Sequence, residues 1–359
     1  MGIAYILKRL KTMDTKAMRE TIKKVQKENG KSKLSILLDM QKCARKYGAG
    51  YSDYYLLEFY KKTDDERNTY LTRGRNAMLY TKYCDMDYLH YFVNKDEFNE
   101  RFKEYLKRDW IKVNGTGKEK VVEFLNKHDT FMAKPIDNFG GIGIEKIKTS
   151  EYDSIDKLYN YLTREGANYE LEEVIKQHPD VDKLYPGSIN TIRVITIVTT
   201  DDDKPYISVP IEERKNAKLK CHVIYACCRI GNGKCIDNFT SGGMVTPVDE
   251  KTGIIKYPAM DKKKHIYEKH PVTGCEIPGF KFPYWNEVLE MCKKASFEIP
   301  EVGYIGWDVA ITPTGPVFVE GNELPGYNLY QLPIHTPDNI GAMPKFDFVN
   351  SDKYKINAK

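Results

Sequence analysis

Long apolar runs are missing from this chain of 359 residues. Its first ten residues hold only five consecutive apolar side chains, Ile3 to Leu7, too few for a signal peptide or a membrane span. Position 6 is Ile, so the N-myristoylation pattern fails as well. Cysteine is scarce and scattered: none of the 8 cysteines lies in a Cys-x-x-Cys pair, which excludes the common zinc spacings and a secreted disulfide framework. Reduced, mostly buried thiols in a cytoplasmic protein are expected. Internal repeats, low-complexity linkers, zinc fingers and long basic helices are also lacking, and nothing points to nucleic acid. The net charge of +5 is spread along the chain, which suits an anionic substrate or peripheral contact with a membrane surface.

Aromatic residues are plentiful at 12% and charged residues reach 30%, a globular composition. The length predicts two or three lobes. Residues 1–128 read as mostly helical, with Ile36, Met40, Cys43 and Tyr47 at helical spacing. A further helix is expected over 96–107, with Phe98, Phe102 and Leu106 on one side. The texture changes near His128. Strands are expected at 130–135, 144–147 and 169–175, with a helix at 153–165 capped by Ser154. From residue 188 strands dominate, at 189–199, 206–213, 222–230, 235–239, 253–257, 302–312 and 316–321, with one helix near 284–297. The class is α+β. The expected division is 1–128, 129–187, 188–345 and a tail at 346–359.

The segment from Gly306 to Asn322 carries the strongest chemical signal. It reads as a β-hairpin in which Pro313 takes a turn corner and Gly315 the left-handed position. A three-residue loop would pair Thr312 with Pro316, place Asp308 opposite Glu320, and put Asn322 further along the same face. Two adjacent carboxylates repel unless a cation lies between them, and hard oxygen donors favour magnesium. The plainer alternative is the solvated face of an edge strand.

Lys134 ends a strand just before Asp137-Asn138-Phe139-Gly140-Gly141-Ile142-Gly143. Glycines let backbone N–H groups approach phosphate, and a lysine adds a point charge. The order is not that of a Walker A loop, which places its lysine after the glycines. Arg193 lies in an apolar strand and Arg229 at the end of another. Each needs a partner there, either an anionic ligand or a structural carboxylate such as Asp308.

Taken together, Lys134 before the glycine flap, Glu172-Glu173-Val174-Ile175, Arg193, Arg229, Asn238, Asp308, Glu320 and Asn322 resemble the ATP-grasp superfamily in their order. The resemblance covers about residues 90–335. The segments Arg229 to Gly231, Asp237 to Gly243 and Asn322 to Gly326 look closest to its sugar-transfer associated branch. It implies an ATP-grasp fold of two α+β lobes gripping ATP, preceded by a helical region. Asp308, Glu320 and Asn322 would hold magnesium, Glu320 bridging two ions. Lys95, Lys134, Gly140, Gly141 and Gly143 would contact the phosphates, and Glu172, Glu173 and Val174 the adenine. Arg193, Arg229 and Asn238 would act on the transferred phosphoryl group. The implied activity is a carboxylate–amine ligase on a small, sugar-linked acid tied to polysaccharide biosynthesis. The alternative is a kinase acting on a hydroxyl, with Asp237 or His222 as base.

Overall fold

The computed structural model describes residues 14–136, 143–233 and 237–349. The chain opens with helices α1 (Thr15–Asn29), α2 (Lys33–Tyr47), α3 (Tyr51–Leu56), α4 (Asp64–Asn68) and α5 (Arg73–Tyr83). Asp14 and Ser32 cap the first two through side-chain oxygens. The expected stripe Ile36, Met40, Cys43 and Tyr47 is buried. Next come α6 (His90–Val93), α7 (Lys95–Arg101) and α8 (Lys103–Leu106). The single helix expected over 96–107 is therefore two. Phe102 leaves helical geometry at φ −105° and ψ 20°, and its ring lies 5.4 Å from Trp307 and 4.8 Å from Phe98.

Strand β1 (Trp110–Lys112) and helix α9 (Lys118–Lys127) follow, then β2 (Thr130–Pro135), β3 (Glu145–Lys148), α10 (Ile155–Leu162) and β4 (Tyr169–Glu173). Ser154 caps α10, accepting from the Lys157 N–H at 3.2 Å. The four strands form an antiparallel sheet in the order β1-β4-β2-β3. Strand β1 lies inside the stretch expected to be helical. Only its three residues pair, too short a run for alternation to reveal. The two faces of this sheet differ by strict alternation. Phe131, Ala133, Tyr169 and Leu171 pack against Val121, Phe124 and Leu158 of the two helices. Met132, Lys134, Glu170 and Glu172 face the other way, into a cleft.

The turn α11 (Pro179–Asp182) leads to the second sheet: β5 (Thr191–Thr200), β6 (Leu219–Ile230), β7 (Met244–Val248), β8 (Ala259–Asp261) and β9 (Ile266–Tyr267). Helix α12 (Trp285–Ser296) precedes β10 (Tyr304–Thr312) and β11 (Gly315–Asn322). The order is β11-β10-β5-β6-β7-β8-β9. The strand expected at 206–213 is a 3-10 turn over Tyr206–Ser208, in a stretch flanked by Pro205 and Pro210, which cannot donate to a ladder. The stretch 253–257 makes only isolated bridges, through Ile254 and Ile255. Of the strand expected at 235–239, the first two residues lie outside the described residues, and Phe239 begins a 3-10 turn.

The hairpin differs from its expected register. Thr312 pairs with Gly315 rather than Pro316, so the loop has two residues, and Gly315 has φ 114°. Continued without a break, that register would set Asp308 against Val319. A bulge between Phe318 and Glu320 restores the pairing Asp308–Glu320. Beneath it, Trp307 stacks on Phe318 at 4.7 Å and donates to Thr196 and Ser296.

The N-terminal helices share one hydrophobic core with this second sheet. They also brace the segment after β11. The Tyr327 hydroxyl donates to Asp53 at 2.6 Å, and Leu71 N–H donates to Gln331 at 3.0 Å.

Candidate active site

The two sheets face each other across a cleft of about 980 Å³. The small sheet contributes Lys134, Glu170 and Glu172 to it, and the large sheet Arg193, Asp308 and Glu320. Lys95, Asp237, Asn238 and Asn322 also line it. Alternation explains each placement. Arg193 and Asp308 are register partners on β5 and β10, and Asp308 and Glu320 on β10 and β11. Gly306 makes room for them: a Cβ there would lie 2.8 Å from Pro325 and 3.5 Å from the Arg193 side chain.

Asp308 is the centre of a buried ion cluster, with its side chain 2% exposed. Arg193 grips it bidentately, Nε to Oδ1 at 2.7 Å and Nη2 to Oδ2 at 2.6 Å. Arg229 Nη1 reaches Oδ2 at 2.6 Å, and its Nη2 reaches Asp237 at 3.0 Å. Asp237 also accepts from the Thr191 N–H at 3.0 Å and from the Thr191 hydroxyl. Burial pushes the Asp308 carboxyl up, and the two guanidiniums outweigh it and hold it below the ordinary range. Glu320 lies 3.8 Å from Arg193, with its side chain 54% exposed to the cleft. The crowding of protein around it, and then the charge of Asp308, raise its carboxyl above the usual value. The Asn322 amide donates to Glu320 at 3.3 Å.

These contacts show what the cluster lacks. Among the described residues, three carboxylates (Asp237, Asp308 and Glu320) face two guanidiniums, which cannot balance all three as anions. Asp308 accepts three hydrogen bonds from the guanidiniums, and its carboxyl lies within hydrogen-bond reach of the Glu320 carboxyl. Hard oxygen donors with an unmatched negative charge fit magnesium.

Across the cleft, Lys134 Nζ is paired with Glu172 Oε1 at 2.5 Å, and Arg108 Nε with Glu172 Oε2 at 2.7 Å. Arg108 goes on to donate to the backbone carbonyls of Phe318 and, at 3.3 Å, Val319. One guanidinium thus ties the small sheet to the bulge beside the acidic hairpin. Arg108 escapes a reading of the sequence because it sits in a Lys/Arg-rich stretch that looks like solvated surface. The Lys95 ammonium donates to the Pro135 carbonyl, which brings it beside Lys134. Burial lowers Lys95, and Glu170 opposes that shift.

Of the residues named from the sequence, the cleft gathers Lys95, Lys134, Glu172, Glu173, Val174, Arg193, Arg229, Asn238, Asp308, Glu320 and Asn322. Gly143 has φ 77° and is not among the lining residues, while Gly140 and Gly141 lie outside the described residues. The Glu172 side chain is occupied by Lys134 and Arg108, so only backbone atoms at Glu173 and Val174 remain for a purine edge. The Glu173 carboxylate instead accepts from the Asp109 N–H at 3.1 Å, in a group with His128. The Asn238 amide oxygen caps its own turn through Thr240.

Two antiparallel sheets gripping a cleft, with lysines on one side and an Asp, Glu-x-Asn hairpin on the other, define an ATP-grasp protein. A profile of the sugar-transfer associated ATP-grasp family matches residues 110–337, and the chain belongs to that family. No protein of curated function matches it in sequence. Among solved structures it is similar to an ADP complex of the N5-carboxyaminoimidazole ribonucleotide synthetase PurK, with 11% identity and TM-score 0.39, over 66% of this chain and 46% of that one. It is similar to the ATP-grasp ligase PsnB in complex with Mg, ADP and a phosphomimetic precursor variant, with 12% identity and TM-score 0.41, over 92% and 74%. A third is D-alanine–D-alanine ligase from Bacillus anthracis, with 11% identity and TM-score 0.39, over 77% and 73%. The chain spans less than half of the PurK chain. Among the described residues, no helix is long and apolar enough to cross a membrane.

Proposed function

We propose that the chain is a Mg-ATP-dependent ligase that joins a carboxylate to an amine, with a sugar acid or polysaccharide precursor as the carboxylate. The observation that carries this is the opposition of Lys95 and Lys134 to the Asp308–Glu320–Asn322 hairpin across one cleft. The lysines hold the α- and β-phosphates. Asp308, Glu320 and Asn322 would hold one or two magnesium ions, which supply Lewis-acid neutralisation of the phosphate oxygens. Arg193 and Arg229 stand beside the same oxygens and stabilise charge on the transferred phosphoryl.

In this reaction a carboxylate oxygen attacks the γ-phosphorus as the bond to ADP breaks. The amine nitrogen then attacks the acyl carbon, an amide forms, and phosphate leaves with the C–O bond. The protein supplies charge and position and no nucleophile.

Part of the cleft lining suits the acceptor: Lys24, Tyr51 and Tyr55 of the N-terminal helices, and Lys262. Two ammonium groups and two aromatic rings match an acidic ring compound. The kinase alternative is less well served. Asp237 has its oxygens committed to Arg229 and Thr191, and His222 stacks on Phe348 at 4.1 Å, away from the cleft lining. The test is ADP production from ATP with uronic acids and amino acids, with product masses recorded. ADP that requires both a carboxylate and an amine supports the ligase. A phosphorylated product with no amine requirement would establish the kinase.

A further inference from the structure

Glu170 has no part in the chemistry above, and its surroundings are unusual. It lies on the cleft face of β4, two residues from Glu172 and opposite Lys134 of β2 in register. It is 1% exposed and lines the cleft, and among the described residues no N–H or hydroxyl donates to either of its carboxyl oxygens. A buried ionised carboxylate without donors costs several kcal/mol, whereas a carboxylic acid at the same place does not. The charged groups around it come from each packed element. Glu172 shares its strand, Lys134 faces it from β2, and Lys95 reaches it from α7. Lys146 of β3 lines the same cleft. On β1, Lys112 is its register partner but is bound to Asp96 at 2.7 Å. Arg108 acts through Glu172.

We propose that Glu170 and Glu172 hold one proton between them, and that this proton lets Lys134 leave Glu172 for a nucleotide phosphate. The inference rests on the nucleotide-site reading above and adds a positioning residue to it. The charges make the case. While Lys134 sits on Glu172, that carboxylate takes one of its three N–H donors and competes with a phosphate for its charge. If it leaves while Glu170 is ionised, two buried carboxylates keep one cation in direct contact, Arg108 on Glu172, with the Lys95 ammonium at longer range. They also turn uncompensated negative charge toward an incoming triphosphate. If Glu170 is the neutral acid, its O–H donates to Glu172, Arg108 balances the remaining charge, and Lys134 is released without an unpaired anion. Burial first, and the charge of Glu172 second, raise the Glu170 carboxyl to about 8, while Lys134 and Lys95 oppose the shift. The opposite shift at Glu172 has burial overcome by Arg108 and Lys134. Below the raised Glu170 value the proton is in place, and above it nucleotide binding must first recruit one.

The experiment is calorimetric titration of ATP with saturating Mg²⁺ into the full chain between roughly pH 6.5 and 9.5. For the wild type the Kd is expected to be flat to near neutrality and then to weaken by up to tenfold per pH unit. Glu170→Gln keeps the donor and cannot ionise, so its Kd lacks this limb. Glu170 raises the Lys95 ammonium, so any limb from Lys95 begins earlier in the variant and cannot make its profile the flatter one. A second measurement needs no variant: wild-type binding at alkaline pH, in two buffers of different ionisation heat, should show uptake of close to one proton. An unchanged pH slope in Glu170→Gln, or binding with no proton uptake, overturns the inference and leaves the nucleotide site standing. No ATP binding by the wild type at any pH overturns the nucleotide site, and the inference with it.

Discussion

Asp308 and Glu320 face each other across β10 and β11 because Val319 is bulged out of the ladder. The hairpin loop alone sets a register one residue off, and the bulge corrects it. Arg108 donates to the Phe318 and Val319 carbonyls at that bulge, so the geometry of the acidic pair is tied to Glu172 on the opposite side of the cleft. A change in the register of the hairpin would be felt by both sheets.

Arg108→Ala removes a buried guanidinium from Glu172 and leaves two backbone carbonyls without a side-chain donor. A loss of about 2–4 kcal/mol in unfolding free energy is expected. Arg108→Lys should recover only a small part, because an ammonium cannot span both sites as the planar fork does. Chemical denaturation of the three proteins measures this. Equal stability of Arg108→Ala and the wild type would contradict the bridging role.

Glu320→Gln should separate stability from activity. The folded state raises this carboxyl, so its charged form costs stability at every pH above its folded value. The neutral variant is therefore expected to melt at a higher temperature than the wild type near pH 7 without Mg²⁺. The difference should vanish as pH falls through the ordinary carboxylate value of about 4. Turnover of ATP should fall by roughly 10²-fold or more. Melting curves across pH and an ADP assay report the two effects separately. A variant that melts lower than the wild type at pH 7 would argue against an unmatched charge at the site.

Asp308→Asn should behave in the opposite sense. Arg193 and Arg229 hold this carboxyl below its unfolded value, so its stabilising contribution is present above about pH 4 and is lost as pH falls further through the folded value. The variant should be less stable than the wild type between pH 5 and 8, with the gap closing in acid. A gap that does not change with pH would mean that the ion cluster is not its origin.

Much of this was legible before the fold was known. Lys134, Arg193 and Asp308 are charged residues in otherwise apolar strands, and period-two alternation places each on a predictable face. Glu320 was placed correctly through a loop length that was wrong by one, because the bulge supplied the missing residue. A bulge leaves no mark in a local pattern. It is set by contacts from elsewhere in the chain, here Arg108. The same holds for the break at Phe102, which coincides with a long-range contact to Trp307. The association of the N-terminal helices with the large sheet was equally hidden. It depends on pairings such as Tyr327–Asp53 that join residues 274 positions apart.

Those helices lead to a prediction about the acceptor. Lys24 and Lys262 are exposed and line the cleft. Reversing both charges, Lys24→Glu with Lys262→Glu, should raise the KM for an acidic acceptor by about tenfold or more while leaving the KM for ATP within about twofold. A matched rise in both constants would place these lysines outside the acceptor site.

The central claim is that the Asp308–Glu320–Asn322 hairpin holds the metal of a magnesium nucleotide. The most direct measurement is the Kd of ATP with and without Mg²⁺, for the wild type and Glu320→Gln. Magnesium should tighten binding to the wild type by about tenfold or more and have little effect on the variant. The same dependence on Mg²⁺ in both proteins, or none in either, would contradict the assignment.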